Sequence, residues 1–267
     1  MEKFCAYRRK ELIRLSIIIP FLNSHELVRR QVLWFKKLNL PDEVEVIWMD
    51  DGSDPPIVIR DSPCTNFHLI ATNDFRPWTS SLARNKAAKL AQGEYFLMTD
   101  GDYIVTQQAV ERALTFDGDR EGFKRYFGIL DENGELRTDE ETLIRYGVNP
   151  EYFRSRKGKI SPHPNNYIIS RRVWDMVGGY DEDRILNREY PQGEDRKFKR
   201  DLMALQEKGL IKIEDDDRRA KIYMFPNGQF CYDGRDVDAN PFNLFHTLTR
   251  KTDNNYWYHH PKLLRGT

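Results

Sequence analysis

No apolar run in this 267-residue chain approaches the roughly 20 residues that a membrane helix needs. The longest, Leu15 to Leu22 and Tyr95 to Met98, stop well short, so no bilayer span is predicted. Met1 to Arg14 carries Lys3, Arg8, Arg9, Lys10 and Arg14 but lacks the apolar centre and small-residue cleavage site of a signal peptide. Cysteine is scarce: Cys5, Cys64 and Cys231 lie far apart in no metal-ligand spacing, which predicts a reduced, cytoplasmic setting. A net charge is missing too, since 42 Lys and Arg balance 42 Asp and Glu. No global field then draws the protein onto DNA or an anionic membrane. Neither an internal repeat nor a low-complexity linker interrupts the chain, whose length suits one large domain or two closely packed subdomains.

What is present is an alternation of short apolar runs with helical patterns. Leu15-Ser-Ile-Ile-Ile-Pro20 is β-branched and stopped by proline, a buried strand. From Ser24 as N-cap, Leu27, Val28, Gln31, Val32 and Phe35 recur at helical spacing, and Glu43 to Met49 reads as a second strand. Strand, helix, strand predicts a right-handed parallel unit whose strand ends open on one edge. Phe67 to Ala71 is a third strand. Ser80 to Ala91 is a helix capped by Ser80 or Ser81 and closed by Gly93, with Arg84 and Asn85 in its first turn. It feeds the strand Tyr95 to Met98.

Past Val105, Gln107 to Thr115 is helical, and Tyr126 to Leu130 with Glu135 to Thr138 reads as a hairpin around Glu132-Asn133-Gly134. The polar stretch 138–164, with Arg154, Arg156, Lys157 and Lys159, is expected to be an exposed excursion or flap. A strand over Tyr167 to Ser170, a short helix over Arg171 to Met176 ended by Gly178-Gly179, and a helix from Glu194 through Leu205 complete the pattern. The tail from Ile222 to Thr267 is rich in aromatics.

Carboxylates gather where strands stop: Asp50-Asp51-Gly52-Ser53 after the second strand, and Asp100-Gly101-Asp102 after Tyr95 to Met98. At the carboxyl ends of strands in an open α/β sheet, side chains point into the crevice where ligands bind. Carboxylates this close repel one another unless a cation or donors lie between them, and hard oxygen ligands suit Mg²⁺ or Mn²⁺ shared with phosphates. An Asp-Gly turn at the surface is the plainer reading of either motif alone.

The order Ile-Ile-Ile-Pro20, Asp-Asp-Gly-Ser53, Ala-Arg-Asn85, Asp-Gly-Asp102, Gly-Gly-Tyr-Asp-Glu182, Gly-Glu-Asp195 resembles the family 2 glycosyltransferases of GT-A fold, over roughly Leu15 to Asp201. The second half is similar to the galactosyltransferase-type region of chondroitin-synthase-like enzymes. The resemblance implies a Rossmann-like nucleotide-sugar-binding α/β fold with a mixed central sheet, a donor subdomain over 1–110, and an acceptor subdomain over 111–267. It also implies a metal-dependent inverting transfer of one sugar, from a UDP-sugar, to an acceptor hydroxyl. By the family's pattern Asp102 ligates Mn²⁺ or Mg²⁺ with Asp100 beside it, and Asp50 and Asp51 bind base and ribose. Pro20, Phe21 and Asn23 line the nucleotide pocket, and Arg84 reaches the base or diphosphate. Asp195 is the catalytic base, Glu194 binds the acceptor hydroxyl, and His246 is a third metal ligand, although a lone His between apolar residues is more often packed in a core. Trp174, just before Gly178-Gly179, is either an acceptor-sugar platform or, as an aromatic on a short helix more often is, a core residue.

The sequence departs from the family at the small middle residue of Asp-Gly-Asp and at Gly-Glu-Asp-Arg-Lys-Phe198, where many members carry an acid two places on. No Gln-x-x-Arg-Trp of processive synthases follows Asp195. A glycan or lipid-linked glycan of surface glycan biosynthesis is the expected acceptor, in the cytoplasm or peripheral to the inner membrane. The alternative is a phage enzyme acting on hydroxymethylated DNA bases in the host cytoplasm, favoured by the Arg154 to Lys159 cluster and disfavoured by zero net charge. A nucleotidyltransferase is disfavoured because Phe21 to Glu26 holds no glycine for a phosphate loop. A non-catalytic sugar-binding module has no need of both carboxylate pairs and Asp195.

Overall fold

The computed structural model describes residues 12–74, 79–183, 194–214 and 218–226. Its centre is β1 (Leu15–Phe21), seven residues all buried. Ile17 and Ile19 pack into one hydrophobic cluster and Ile18 into the other. A strand covered on both faces reads as a continuous apolar run rather than an alternating one, which is why Ser-Ile-Ile-Ile-Pro looks as it does. On one side β1 pairs in parallel with β2 (Val44–Asp50), which pairs with β3 (Phe67–Ala71). On the other it pairs in parallel with β4 (Tyr95–Met98). Helices α1 (His25–Phe35) and α2 (Ser80–Leu90) supply the crossovers.

Beyond β4 the sheet turns mixed. β11 (Tyr167–Ser170) runs antiparallel to β4, then come β6 (Arg120–Gly122) and β12 (Ile213–Glu214), completing seven strands in the order β12-β6-β11-β4-β1-β2-β3. Because β11 is reversed, its amino end, Tyr167, lies beside Met98 at the carboxyl end of β4. A second sheet runs β10 (Lys159–Ile160), β7 (Lys124–Phe127), β13 (Lys221–Met224), β5 (Tyr103–Ile104). α3 (Gln107–Leu114) is capped by the Thr106 hydroxyl, which accepts from the Ala109 amide.

Several local expectations are corrected. Only β8 (Ile129–Leu130) and β9 (Leu136–Arg137) pair as a hairpin, while Tyr126 belongs to β7 in the second sheet. Residues 138–164 are not an exposed excursion: α4 (Glu140–Arg145), α5 (Pro150–Arg156) and β10 fold there, and Leu143, Val148 and Ile160 are buried. The Ser24 hydroxyl donates to the Leu22 carbonyl instead of capping α1. Gly93 is not a left-handed helix stop; a Cβ there would meet the Ser16 backbone nitrogen at 2.6 Å, so glycine permits β1 and the β4 approach to close. Gly178 does close α6 (Arg171–Val177), at φ +80°. Among the described residues no helix is long and apolar enough to cross a membrane.

Candidate active site

The carboxyl ends of β1, β2 and β4 and the amino end of β11 meet at one sheet edge. At the end of β2, Asp50 accepts the amides of Ser53 (2.9 Å) and Ile57 (2.8 Å), one on each oxygen. Both oxygens of this buried carboxylate hold the 51–57 loop, so Asp50 shapes the wall of the site. Asp51 is buried beside it and accepts the Thr79 hydroxyl at 2.9 Å. Thr79 stands at the N-cap of α2 but makes no cap hydrogen bond, because its hydroxyl is turned to the site. Asn23, at the left-handed φ of +49°, joins the ends of β1 and β2: its amide donates to Ser53 Oγ and its Oδ1 accepts the Asp54 amide. Pro20 and Phe21 are buried, with Phe21 against Trp48 at 4.9 Å between ring centroids. They form the floor against which the acidic turn after β4 rests.

After β4 the turn Asp100-Gly101-Asp102 crosses directly over that floor. A Cβ on Gly101 would stand 2.7 Å from the Phe21 ring and 3.0 Å from the Pro20 carbonyl, which accounts for the small middle residue of the acidic motif. From α1, Gln31 donates to the Tyr103 carbonyl (2.7 Å) and Trp34 to the Val105 carbonyl (2.7 Å), pinning the turn's exit.

Arg84 faces Asp100, its guanidinium paired to Oδ1, and its side chain is 0% exposed against 27% for Asp100. It does not open onto the crevice. Burial lowers the Arg84 pKa, but the groups around it, Asp100 first and then Tyr180, Tyr167 and Glu194, together outweigh this and hold the cation above its ordinary value. Its Nε and one terminal nitrogen are buried without hydrogen-bond partners. Asp100 Oδ2 is left toward His163, whose Nδ1 stands 3.6 Å away. Burial pulls the His163 pKa down, Asp100 opposing, so the imidazole is neutral at neutral pH.

His163 belongs to a segment held from several sides. Arg125 donates to the Ser161 carbonyl and to the Tyr103 hydroxyl, and Arg120 to the Pro164 carbonyl. The Tyr180 hydroxyl donates to Asn165 Oδ1 at 2.8 Å, and the Thr99 hydroxyl to Asn166 Oδ1. Residues 161–166 thus form a fixed wall beside the carboxylate turn.

The opposite wall comes from α2 and α7 (Glu194–Glu207). Asn85 exchanges hydrogen bonds with the Tyr180 backbone, accepting its amide (2.9 Å) and donating to its carbonyl (2.8 Å). Ser81 donates to Glu194 at 3.2 Å. Asp195 begins α7 half-exposed and close enough for its charge to act on both Glu194 and His163. Trp174 follows the core alternative: it is buried among Phe96, Tyr180 and Phe198 at centroid distances of 5.4 to 5.9 Å. The basic cluster is partly spent, since Arg154 pairs with Glu140 and Arg156 lies over the Tyr152 ring.

Burial raises the Glu194 pKa. The folded state therefore favours its protonated form, and stability falls as pH climbs from the unfolded value through the raised folded one. Glu194→Gln removes that loss, so its melting temperature relative to wild type is expected to rise across that window and stay higher above it. A difference that does not change with pH would show that Glu194 ionises as in the unfolded chain.

For a divalent ion, the turn offers hard carboxylate oxygens, the donor chemistry that Mg²⁺ and Mn²⁺ take together with substrate phosphates. Among the described residues no three His, Cys, Asp or Glu side chains converge as a metal cluster. One or two carboxylates completed by a diphosphate are enough for such an ion, so Asp100 and Asp102 fit it. His246 lies outside the described residues.

Residues 16–173 match the model of glycosyl transferase family 2. An uncharacterized glycosyltransferase of Bacillus subtilis (strain 168), YfnE, is 25% identical over 147 residues, 52% of this chain and 38% of that protein. The crystal structure of S. aureus TarS 1–349 in complex with UDP-GlcNAc superposes with a TM-score of 0.50 at 17% identity, covering 80% of this chain and 59% of that one. The chain thus spans well under two thirds of each, and the structural likeness is one of GT-A fold.

Proposed function

The chain belongs to glycosyl transferase family 2, and from that membership we propose that it moves one sugar from a nucleotide-sugar donor to an acceptor hydroxyl with inversion. The observation that carries this is the gathering of Asp51, Asp100 and Asp102 at the carboxyl ends of the parallel strands, where such folds bind ligands, with the Asp195 charge acting on His163 beside them. A UDP-sugar is our choice of donor, supported by the shared fold with TarS, which holds UDP-GlcNAc in its complex.

In this reading residues 1–110 bind the donor and 111–267 the acceptor, the latter with galactosyltransferase-like character, and the acceptor is a surface glycan. Asp51, steadied by Thr79, accepts hydrogen bonds from the nucleoside, while Asp50 and Asn23 keep the loop around it in shape. Asp100 and Asp102 hold Mn²⁺ or Mg²⁺, which when bound neutralises the departing diphosphate. Asp195 takes the proton from the acceptor hydroxyl as that oxygen bonds to the anomeric carbon and the bond to the diphosphate breaks on the opposite face. Glu194 accepts a hydrogen bond from the acceptor and orients it.

The test is donor hydrolysis across a panel of nucleotide sugars with Mn²⁺ or with chelator. One UDP-sugar is expected to be hydrolysed slowly, and the hydrolysis to stop with chelator and in Asp102→Ala. If no donor is bound or cleaved with any metal, the transferase reading fails.

A further inference from the structure

We propose that the outward face of α7 docks on the surface of an anionic membrane, which sets Asp195, in the first turn of that helix, beside a lipid-linked acceptor. The docking stands on the surface alone, and its link to the acceptor rests on the transferase reading above.

The face is made by helical spacing. Phe198 and Leu202 turn inward and are buried, Phe198 against Trp174 of α6 at 5.4 Å and against Tyr167 at 5.7 Å between ring centroids. Arg196, Lys199, Arg200 and Met203 recur three and four residues apart on the other side, and all four are exposed. That stripe runs about 10 Å along the helix axis. Lys208 and Leu210, just past the end of α7, are exposed as well. Among the described residues, large apolar side chains in water are few, and Met176 (42%), Met203 (46%) and Leu210 (51%) fall on α6, α7 and the turn that follows.

The stripe also holds charge that nothing around it neutralises. Lys197 pairs with Asp181 and Asp201, and Lys212 with Glu214, but among the described residues no carboxylate pairs with Arg196, Lys199, Arg200 or Lys208. From Arg196 to Leu210 these four exposed cations meet one exposed acid, Glu207. In a chain whose charges balance overall this is a local surplus. Cations alone would suit any polyanion. Interleaved with Met203 and Leu210 they suit the boundary of a bilayer, where basic side chains meet anionic headgroups and apolar ones reach the acyl region. The phosphates of a nucleic acid offer those apolar side chains nothing. Arg196 follows Asp195 directly, so a membrane against this face brings the hydroxyl of a lipid-linked acceptor to the carboxylate that takes its proton.

Flotation of the full chain with vesicles of mixed phosphatidylglycerol and phosphatidylcholine, beside vesicles of phosphatidylcholine alone, tests the docking. Wild type is expected to bind the anionic vesicles and not the neutral ones. The double variant Lys199→Gln with Arg200→Gln should bind them about 30-fold more weakly, at about fivefold for each cation lost. Met203→Ser with Leu210→Ser should weaken binding about 10-fold, since each side chain is half-buried on docking. All four positions are exposed, so the variants are expected to melt with wild type. Equal binding to both vesicle types, or anionic binding that the Gln pair leaves unchanged, overturns the proposal. So does a loss in the Gln pair with none in the Ser pair and tighter binding to duplex DNA, which would make this a nucleic-acid surface. Donor hydrolysis on the same preparations keeps the two readings apart: vesicle binding without hydrolysis of any nucleotide sugar removes the transferase reading and leaves the docking, and hydrolysis without vesicle binding does the reverse.

Discussion

Asp100→Ala is expected to destabilise the protein by about 3–5 kcal/mol, because it leaves the Arg84 guanidinium buried with no opposite charge. Arg84→Met is expected to cost far less. Its partner Asp100 is 27% exposed and can be hydrated, and the substitution also removes two buried nitrogens that have no hydrogen-bond partner. The asymmetry follows from burial: the same pair is broken, but only one of its charges has water to turn to. Thermal unfolding in chelator reads both effects without interference from a metal. For a chain of this size the drop in Asp100→Ala is on the order of 10 °C. The double variant Arg84→Met with Asp100→Ala should recover most of it. Equal losses in the two single variants would show that Arg84 does not carry a buried charge.

Asp195→Asn is expected to slow sugar transfer by about 10²- to 10⁴-fold, the usual contribution of a positioned general base. Asparagine keeps the shape and the start of α7 but cannot take the acceptor's proton. The affinity for the donor nucleotide should stay within about twofold of wild type, since the proposed role involves the acceptor alone. Titrating UDP by calorimetry beside single-turnover transfer separates the two quantities. Full transfer by Asp195→Asn would remove this residue from the mechanism and direct attention to Glu194, its neighbour at that helix start, whose pKa burial raises.

The parallel half of the fold was legible because β1, β2 and β4 are buried on both faces and the acids follow β2 and β4 directly. Leu15 to Pro20 could only be a core strand, and Asp50, Asp51, Asp100 and Asp102 had to emerge at strand ends on one edge. The second half was less so. The polar stretch 138–164 looked like solvent-exposed chain because its few buried side chains, Leu143, Val148 and Ile160, are too widely spaced to show a period. Tyr126 alternates like a hairpin residue, yet its strand pairs with β10 and β13 from distant parts of the chain.

Sequence alone therefore determined that carboxylates follow the parallel strands at their carboxyl ends, since the apolar strand pattern and the acids placed after it are local properties. Only the tertiary structure decided which of those carboxylates are already engaged and what faces them. Asp50 and Asp100 look alike in the chain, but one is consumed by loop amides and the other is divided between a buried arginine and an imidazole. His163 went unseen because it precedes a strand, and only the antiparallel course of β11 carries that amino end to the edge where the carboxylates gather. Strand direction is set by pairing between segments remote in sequence, and no local pattern encodes it.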